Sequence, residues 1–239
     1  MSVAGTLQST DQLGLGDHVC MVYETEIEHA RILTPYLKAG LERNEKVVYL
    51  SDYTTGATVL QYLQGAGVDV EPALRKGQLS VHSASHVYLA NGSFDPAAML
   101  RFLAEATSQA IRERYAGLRA TGEMTWVLEG RPGCDRILEY EARTNGFFTP
   151  HARAVGLCQY RRSRFEPRML LEILKTHPIA GVGQEFYENP FYIPPETYLG
   201  PGETNAMLER CLAAIQHQPP LRRRASTLQE PAAPGVGMR

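Results

Sequence analysis

His18 and Cys20 are the first side chains along this 239-residue sequence with the means to do chemistry together. They stand two apart in the apolar run His18-Val19-Cys20-Met21-Val22-Tyr23, and on an extended strand residues i and i+2 share a face. An imidazole and a thiolate side by side are ligand types for zinc or haem iron. Two ligands do not complete a site, and no CxxC pair supplies the others. A histidine at a strand start beside a small buried cysteine accounts for the pair structurally, so no metal and no cofactor are expected. His18, Cys20 and Tyr23 are kept instead as candidate walls of a small-molecule pocket.

Carboxylates form the second group. Glu123 lies in the apolar stretch Gly122–Glu129, which reads as a strand, and Glu129 ends it. Phosphate-binding ATPases place a magnesium ligand at such a strand end. The plainer reading is a carboxylate bonded to backbone N–H groups or to arginine, because an unpaired buried charge is costly. Trp126, the single tryptophan, is core in the plain reading and a pocket wall in the functional one. Glu139, Tyr140 and Glu141 precede Asn145 on one helix, where ion pairing with Arg136 and Arg143 is the ordinary role. Cys158 and Tyr160 share a strand face and meet His18 and Cys20 if their strands are neighbours. His177, before a proline at a helix end, reads as a cap of C-terminal carbonyls. GxSxG and HExxH are absent, and no nucleophile–base–acid set stands at recognisable spacing. The expectation is a non-enzyme.

The elements that position these residues begin with Gly14–Asp52. It reads strand (His18–Tyr23), helix (Leu33, Leu37 and Leu41 at helical spacing, ended at Asn44-Glu45), strand (Val47–Leu50). Two strands joined by a helical crossover build a parallel sheet. The loop after the first strand is the usual ligand position in such folds, yet it holds no glycines and no Gly-Lys-Ser/Thr to cradle a phosphate. Further helices are expected over Thr54–Gly67, from the Asp95-Pro96 cap to about Tyr115, around Ile137–Glu141, from Glu166-Pro167 to His177, and over Asn205–Gln218. Strands are expected over Gly77–His82 and Ala154–Tyr160. The Gly-, Pro- and aromatic-rich stretch 177–201 reads as an irregular arm or edge strand. The whole is an α/β fold with a mostly parallel open sheet flanked by helices.

A formal net charge of −2 provides no electrostatic drive toward nucleic acid or membrane. No apolar stretch is long enough for a bilayer, and the N-terminus lacks a signal-peptide core, so a cytoplasmic protein is expected. Cys20, Cys134, Cys158 and Cys211 are widely spaced and read as free thiols. The chain divides into a flexible leader (1–13), one domain (14–218) and a disordered Pro-, Arg- and Ala-rich tail (219–239).

Several motifs together resemble the MEDS family, the methanogen/methylotroph DcmR-like sensory domain. They are HVCMVYET (His18–Thr25), GLERNEKVVYLSD (Gly40–Asp52), GEMTW (Gly122–Trp126), LEYEARTN (Leu138–Asn145) and LCQYRRSRF (Leu157–Phe165). THP followed by NPFYIPPE within Thr176–Glu196 completes the series. The resemblance implies a RecA/KaiC-like fold that has lost its phosphate loop. It also implies recognition of small hydrocarbon derivatives and relay to a DNA-binding or kinase domain. Arg161 stands where an acidic residue is expected, and the short tail leads to the expectation of a stand-alone sensor acting through a regulatory partner or self-association. The candidate ligand-binding set is His18, Cys20, Tyr23, Glu123, Trp126, Glu141 and Cys158, around a pocket at the C-terminal ends of the central strands. The alternatives are a ligand-free adaptor in a regulatory cascade, a metal or haem sensor using His18 and Cys20, and a residual nucleotide-binding protein.

Overall fold

The computed structural model describes residues 9–201 and 203–216. The first crossover is as read: strand β1 (His18–Tyr23), helix α1 (Glu26–Glu42), strand β2 (Lys46–Ser51). Thr25 caps α1 by accepting from Glu28 N, and Glu28 in turn accepts from Glu24 N, a Thr-x-x-Glu capping arrangement. Leu33 and Leu37 are fully buried. The chain leaves the helix through Asn44 at φ 55°, a left-handed position that asparagine tolerates better than most residues.

Helices α2 (Gly56–Gly65) and α3 (Val70–Arg75) lead to β3 (Leu79–Ser83); α4 (Ala84–Tyr88) and α5 (Pro96–Arg112) lead to β4 (Leu118–Glu123). Asp95 caps α5 through Ala97 N, with Pro96 in the first turn, as its sequence predicts. A 3-10 turn (Thr125–Glu129) and α6 (Ile137–Thr144) precede β5 (Ala154–Arg161). Helix α7 (Pro167–Lys175), the hairpin β6 (Ile179–Val182) and β7 (Glu185–Glu188), then α8 (Pro195–Tyr198) and α9 (Glu203–Gln216) complete the described chain.

The sheet has the order β3-β2-β4-β5-β1-β6-β7. Every neighbouring pair is parallel except β6–β7. The crossover from β1 to β2 therefore spans β5 and β4, which insert between them. Alternation along the strands sorts the core into two layers. Val19, Met21, Tyr49, Val155 and Leu157 pack with α1, α2 and α3; Cys20, Leu50, Ala154 and Tyr160 pack with α4, α5, α6 and α7.

Two expectations change, and a third is met. The strand expected over Gly122–Glu129 is displaced to Leu118–Glu123, and Trp126 lies in the 3-10 turn that follows. The buried Arg119 hides this strand's apolar character in the sequence, and the last ladder bond, Met124 N to Gln159 O, ends the pairing before the apolar run Trp126-Val127-Leu128. The segment 177–201 contains an edge hairpin, β6–β7, within its irregular course. Of the leader expected over 1–13, Thr10 and Leu13 are packed against the body: Leu13 is fully buried and Thr10 Oγ1 donates to Ile32 O at 2.7 Å. Residues 1–8 of that leader, and the tail 219–239, lie outside the described residues. Among the described residues no helix is long and apolar enough to cross a membrane.

Candidate functional site

Strands β1 and β5 are neighbours, in the register His18–Gly156, Cys20–Cys158 and Val22–Tyr160. A Cβ at Gly156 would come within 2.5 Å of the Phe148 ring, so glycine here lets Phe148 lie against the sheet and stack on His18, centroids 5.2 Å apart. Glu141 and Asn145 enter from α6 at i, i+4 spacing, and His177 follows the end of α7.

These groups converge. Glu141 is fully buried. Its Oε2 lies 3.5 Å from His18 Nε2, 3.3 Å from His177 Nε2 and 3.5 Å from Cys158 Sγ. Its Oε1 accepts from the Tyr160 hydroxyl at 2.5 Å, and Cys158 Sγ is also 3.6 Å from His18 Nε2.

Hydrogen bonding outside the cluster assigns both imidazole tautomers. Asn145 Nδ2 donates to the carbonyls of Glu141, Ala142 and Thr176, which turns its Oδ1 toward His18 Nδ1 at 3.0 Å. His18 Nδ1 therefore carries the proton. His177 Nδ1 sits 2.8 Å from Ile173 O, an acceptor only, so it too is the protonated nitrogen. Both Nε2 atoms then face the carboxylate.

Burial pushes the His18 pKa down, with His177 adding to the effect and Glu141 opposing it. Burial alone would raise that of Glu141, but His177 and His18 more than reverse this and hold its carboxyl well below the usual range. Burial, then the Glu141 charge, pushes the Cys20 and Cys158 thiols up.

The other candidates lie elsewhere. Tyr23 and Glu123 belong to a second buried group on the α1 side. Tyr23 stacks on His29 at 4.6 Å, His29 Nε2 meets Gln159 Oε1 at 2.5 Å, and Glu123 Oε1 is 3.7 Å from His29 Nε2. Glu123 Oε2 accepts from Asp52 N and Thr54 N, which is the plain reading of that carboxylate. Trp126 stands apart from both groups, stacked on Tyr88 at 4.4 Å. Cys20 is buried on the His18 side, but the thiol that touches His18 belongs to Cys158. Glu139 makes the surface ion pairs with Arg136 and Arg143, whereas Glu141 faces inward.

Sequence reasoning missed three partners. His177 performs the carbonyl cap expected of it through Nδ1, and its other nitrogen enters the cluster. His29 and Gln159 carry no local signal at all: a histidine inside α1 and a glutamine inside β5 become partners only when the crossover packs.

Histidine titration predicts acid sensitivity. His29, like His18, is depressed chiefly by burial. With folded pKa values below the unfolded value of about 6.5, the unfolded chain binds protons first, so stability is lost as pH falls below about 6.5. Glu141 acts lower, since its stabilising charge is lost only as pH falls below the unfolded value of about 4.3. Thermal melting between pH 8 and pH 5 is expected to show a falling Tm from near pH 6.5. A Tm flat to pH 5 would show these histidines to be as easily charged folded as unfolded.

A mostly apolar cavity of about 30 Å³ lies beside the cluster, over the middle of β2, β4 and β5 and beneath α5 and α6. Its wall includes Leu50, Gly122, Gly156, Met99 and Tyr140. Of the candidate set, Cys158 alone lines it. At the strand ends, where a pocket was expected, there is a more polar cleft of about 290 Å³ bounded by Asp52, Tyr53, Thr125, Leu128, Glu129 and Arg164. The start of α1, the phosphate position in nucleotide-binding relatives of such folds, is capped by Thr25 and has Glu26 and Glu28 in its first turn. Those carboxylates oppose an anion there.

Fold and site together define an α/β domain with an open, largely parallel sheet, a buried polar cluster and an acidic, self-capped helix where a phosphate cradle would stand. The chain belongs to the MEDS family (MEthanogen/methylotroph, DcmR Sensory domain), whose model matches residues 17–178. It is 27% identical over 162 residues to the transcriptional repressor DcmR of Methylorubrum extorquens (strain DSM 6343 / CIP 106787 / DM4), an alignment covering 67% of this chain and 58% of that repressor. This chain thus spans a little over half the length of the relative it matches. Among solved structures, an uncharacterized Pyrococcus horikoshii protein, PH0321, crystallised with an unknown peptide, aligns at a TM-score of 0.54 with 15% identity, over 70% of this chain and 77% of that one. The KaiC-like protein PH0186 of Pyrococcus horikoshii OT3 aligns at a TM-score of 0.49 with 12% identity, over 74% and 80%. The family is one of sensory domains.

Proposed function

We propose that this protein is a non-enzymatic sensor that takes up a small, largely apolar molecule and signals through a regulatory partner. The cavity beneath α5 and α6 carries this reading. Its room corresponds to only a few water-sized atoms, far below the 300–1,000 Å³ or so of a drug-sized site. A one- or two-carbon hydrocarbon derivative matches that size and lining, and a nucleotide does not. Cys158, Tyr88 and Thr144 on the wall supply polar contacts for a halogen or oxygen substituent. Uptake would favour the packing of α5 and α6 that closes over the ligand, a shift of a conformational equilibrium. The exposed Val182, Tyr187 and Phe191 on the arm offer an output surface, while Phe186 is buried beneath it.

The same exposed residues favour a second reading, an adaptor whose surface alone carries the function. The test is saturable binding. Xenon and a panel of one- and two-carbon halogenated and methylated compounds are titrated while NMR shifts of cavity methyls are followed. Ala106 lines the cavity, and Ala106→Leu should fill it and weaken binding at least tenfold, about 1.4 kcal/mol. If neither xenon nor any compound perturbs those methyls, the sensor reading fails and the adaptor takes its place.

A further inference from the structure

We propose that His18, Glu141, Cys158 and His177 bind a single divalent, zinc-like cation. Their donor atoms all lie within 4.8 Å of one another. A tetrahedral zinc holds nitrogen and oxygen at about 2.0–2.2 Å and sulfur at about 2.3 Å, which sets donor–donor separations of roughly 3.3–3.6 Å. The edges from Glu141 Oε2 to His177 Nε2, His18 Nε2 and Cys158 Sγ are 3.3, 3.5 and 3.5 Å, and that from His18 Nε2 to Cys158 Sγ is 3.6 Å. Four edges thus have the lengths of a tetrahedron around an ion.

The surroundings are those of ligands. Each imidazole is oriented through Nδ1 by a carbonyl oxygen, Asn145 Oδ1 for His18 and Ile173 O for His177, the outer-shell bond that metal-binding histidines make. Tyr160 engages Glu141 Oε1 and leaves Oε2 for the centre. His177 Nε2 is buried without a hydrogen-bond partner and lies 3.3 Å from Glu141 Oε2. A cation between them would bind both atoms.

Charge also balances: one carboxylate and one thiolate cancel a dication, leaving a neutral cluster in the core. Two imidazoles, a thiolate and a carboxylate suit zinc and its borderline neighbours, whereas magnesium and calcium take oxygen donors. On binding, the Cys158 S–H bond breaks, its electron pair forms the sulfur–metal bond, and the proton leaves to solvent. Cys158 is only partly buried and also lines the cavity. The sequence pairing of His18 with Cys20 is replaced by one across two strands, and these donors converge whether or not the neighbouring cavity takes a ligand.

Cobalt is the probe. Reduced protein stripped by chelator is titrated with Co²⁺ and its visible spectrum followed. Saturation is expected at one equivalent, with intense tetrahedral d–d bands and a thiolate-to-cobalt charge-transfer band, both removed by one equivalent of Zn²⁺. Cys158→Ser should lose the charge-transfer band and weaken binding at least about tenfold, while Cys211→Ser, in the exposed α9, should change nothing. Far-UV circular dichroism of the stripped variants separates lost ligation from lost folding. Should Cys158→Ser fail to fold, the wild-type titration decides by itself: no saturation or no sulfur band overturns the proposal. Full binding in a folded Cys158→Ser overturns it as well.

Discussion

Glu45→Ala is expected to cost about 3–5 kcal/mol of folding stability, the loss that follows when one partner of a buried ion pair is removed. Arg119 is fully buried in the central strand β4, and Glu45 is 3% exposed. Arg119 Nε meets Glu45 Oε2 at 2.5 Å, Nη2 donates to Leu13 O at 3.0 Å, and the guanidinium stacks over Tyr36 at 4.5 Å. A Cβ at Gly40 would approach Arg119 Cδ to 2.6 Å, so α1 carries a glycine where the arginine passes. Without Glu45 the guanidinium keeps its burial and loses its counter-charge. Urea unfolding followed by the fluorescence of buried Trp126 measures the loss. The double variant Glu45→Leu, Arg119→Met removes both charges together and should return to within about 1–2 kcal/mol of the parent, because well-packed apolar replacements of such pairs are often neutral. A single variant as stable as the parent would mean that Arg119 finds solvent.

Trp126→Ala is expected to cost a similar amount, about 3–5 kcal/mol, through packing alone. The indole is fully buried, stacks on Tyr88 and contacts Phe94 at 4.8 Å. Its Nε1 has no hydrogen-bond partner among the described residues, so no polar interaction is lost with it. It is absent from the cavity wall, which separates core from ligand platform. Circular dichroism in urea is the measurement, since the variant has no tryptophan to report. A loss below about 1 kcal/mol accompanied by loss of small-molecule binding would return Trp126 to the pocket.

Much of the fold was readable in the chain. The runs His18–Tyr23, Val47–Leu50 and Ala154–Tyr160 are apolar, bounded by turn or capping residues, and became β1, β2 and β5. Asp95-Pro96 marked α5 because a cap and a first-turn proline are local chemistry. Strand β4 was misplaced for an equally physical reason. Leu118-Arg119-Ala120-Thr121-Gly122-Glu123 looks polar, yet it pairs on both sides, with β2 and β5, and its arginine is neutralised by Glu45 from another element. The more apolar Trp126-Val127-Leu128 follows the last ladder bond and turns under Tyr88 and Phe94. Helices α3 and α4 escaped notice because five or six residues carry too little propensity to stand above their neighbours.

The candidate set holds three of the four clustered donors, His18, Glu141 and Cys158, while His177 was read only as a cap. Residue types, strand alternation and helix caps were enough to establish the βαβ unit, the two-layered sheet and the missing phosphate cradle, because each depends on neighbours a few positions away. Which side chains meet depended on strand order. Insertion of β5 beside β1 joins His18 to Cys158 across 140 positions, and the packing of α6 and α7 on that face brings Glu141 and His177 to them. The same alternation sends Tyr23 and Glu123 to the opposite layer. Such contacts arise from sheet topology and helix docking, which the whole core must agree on at once, and no local spacing encodes them.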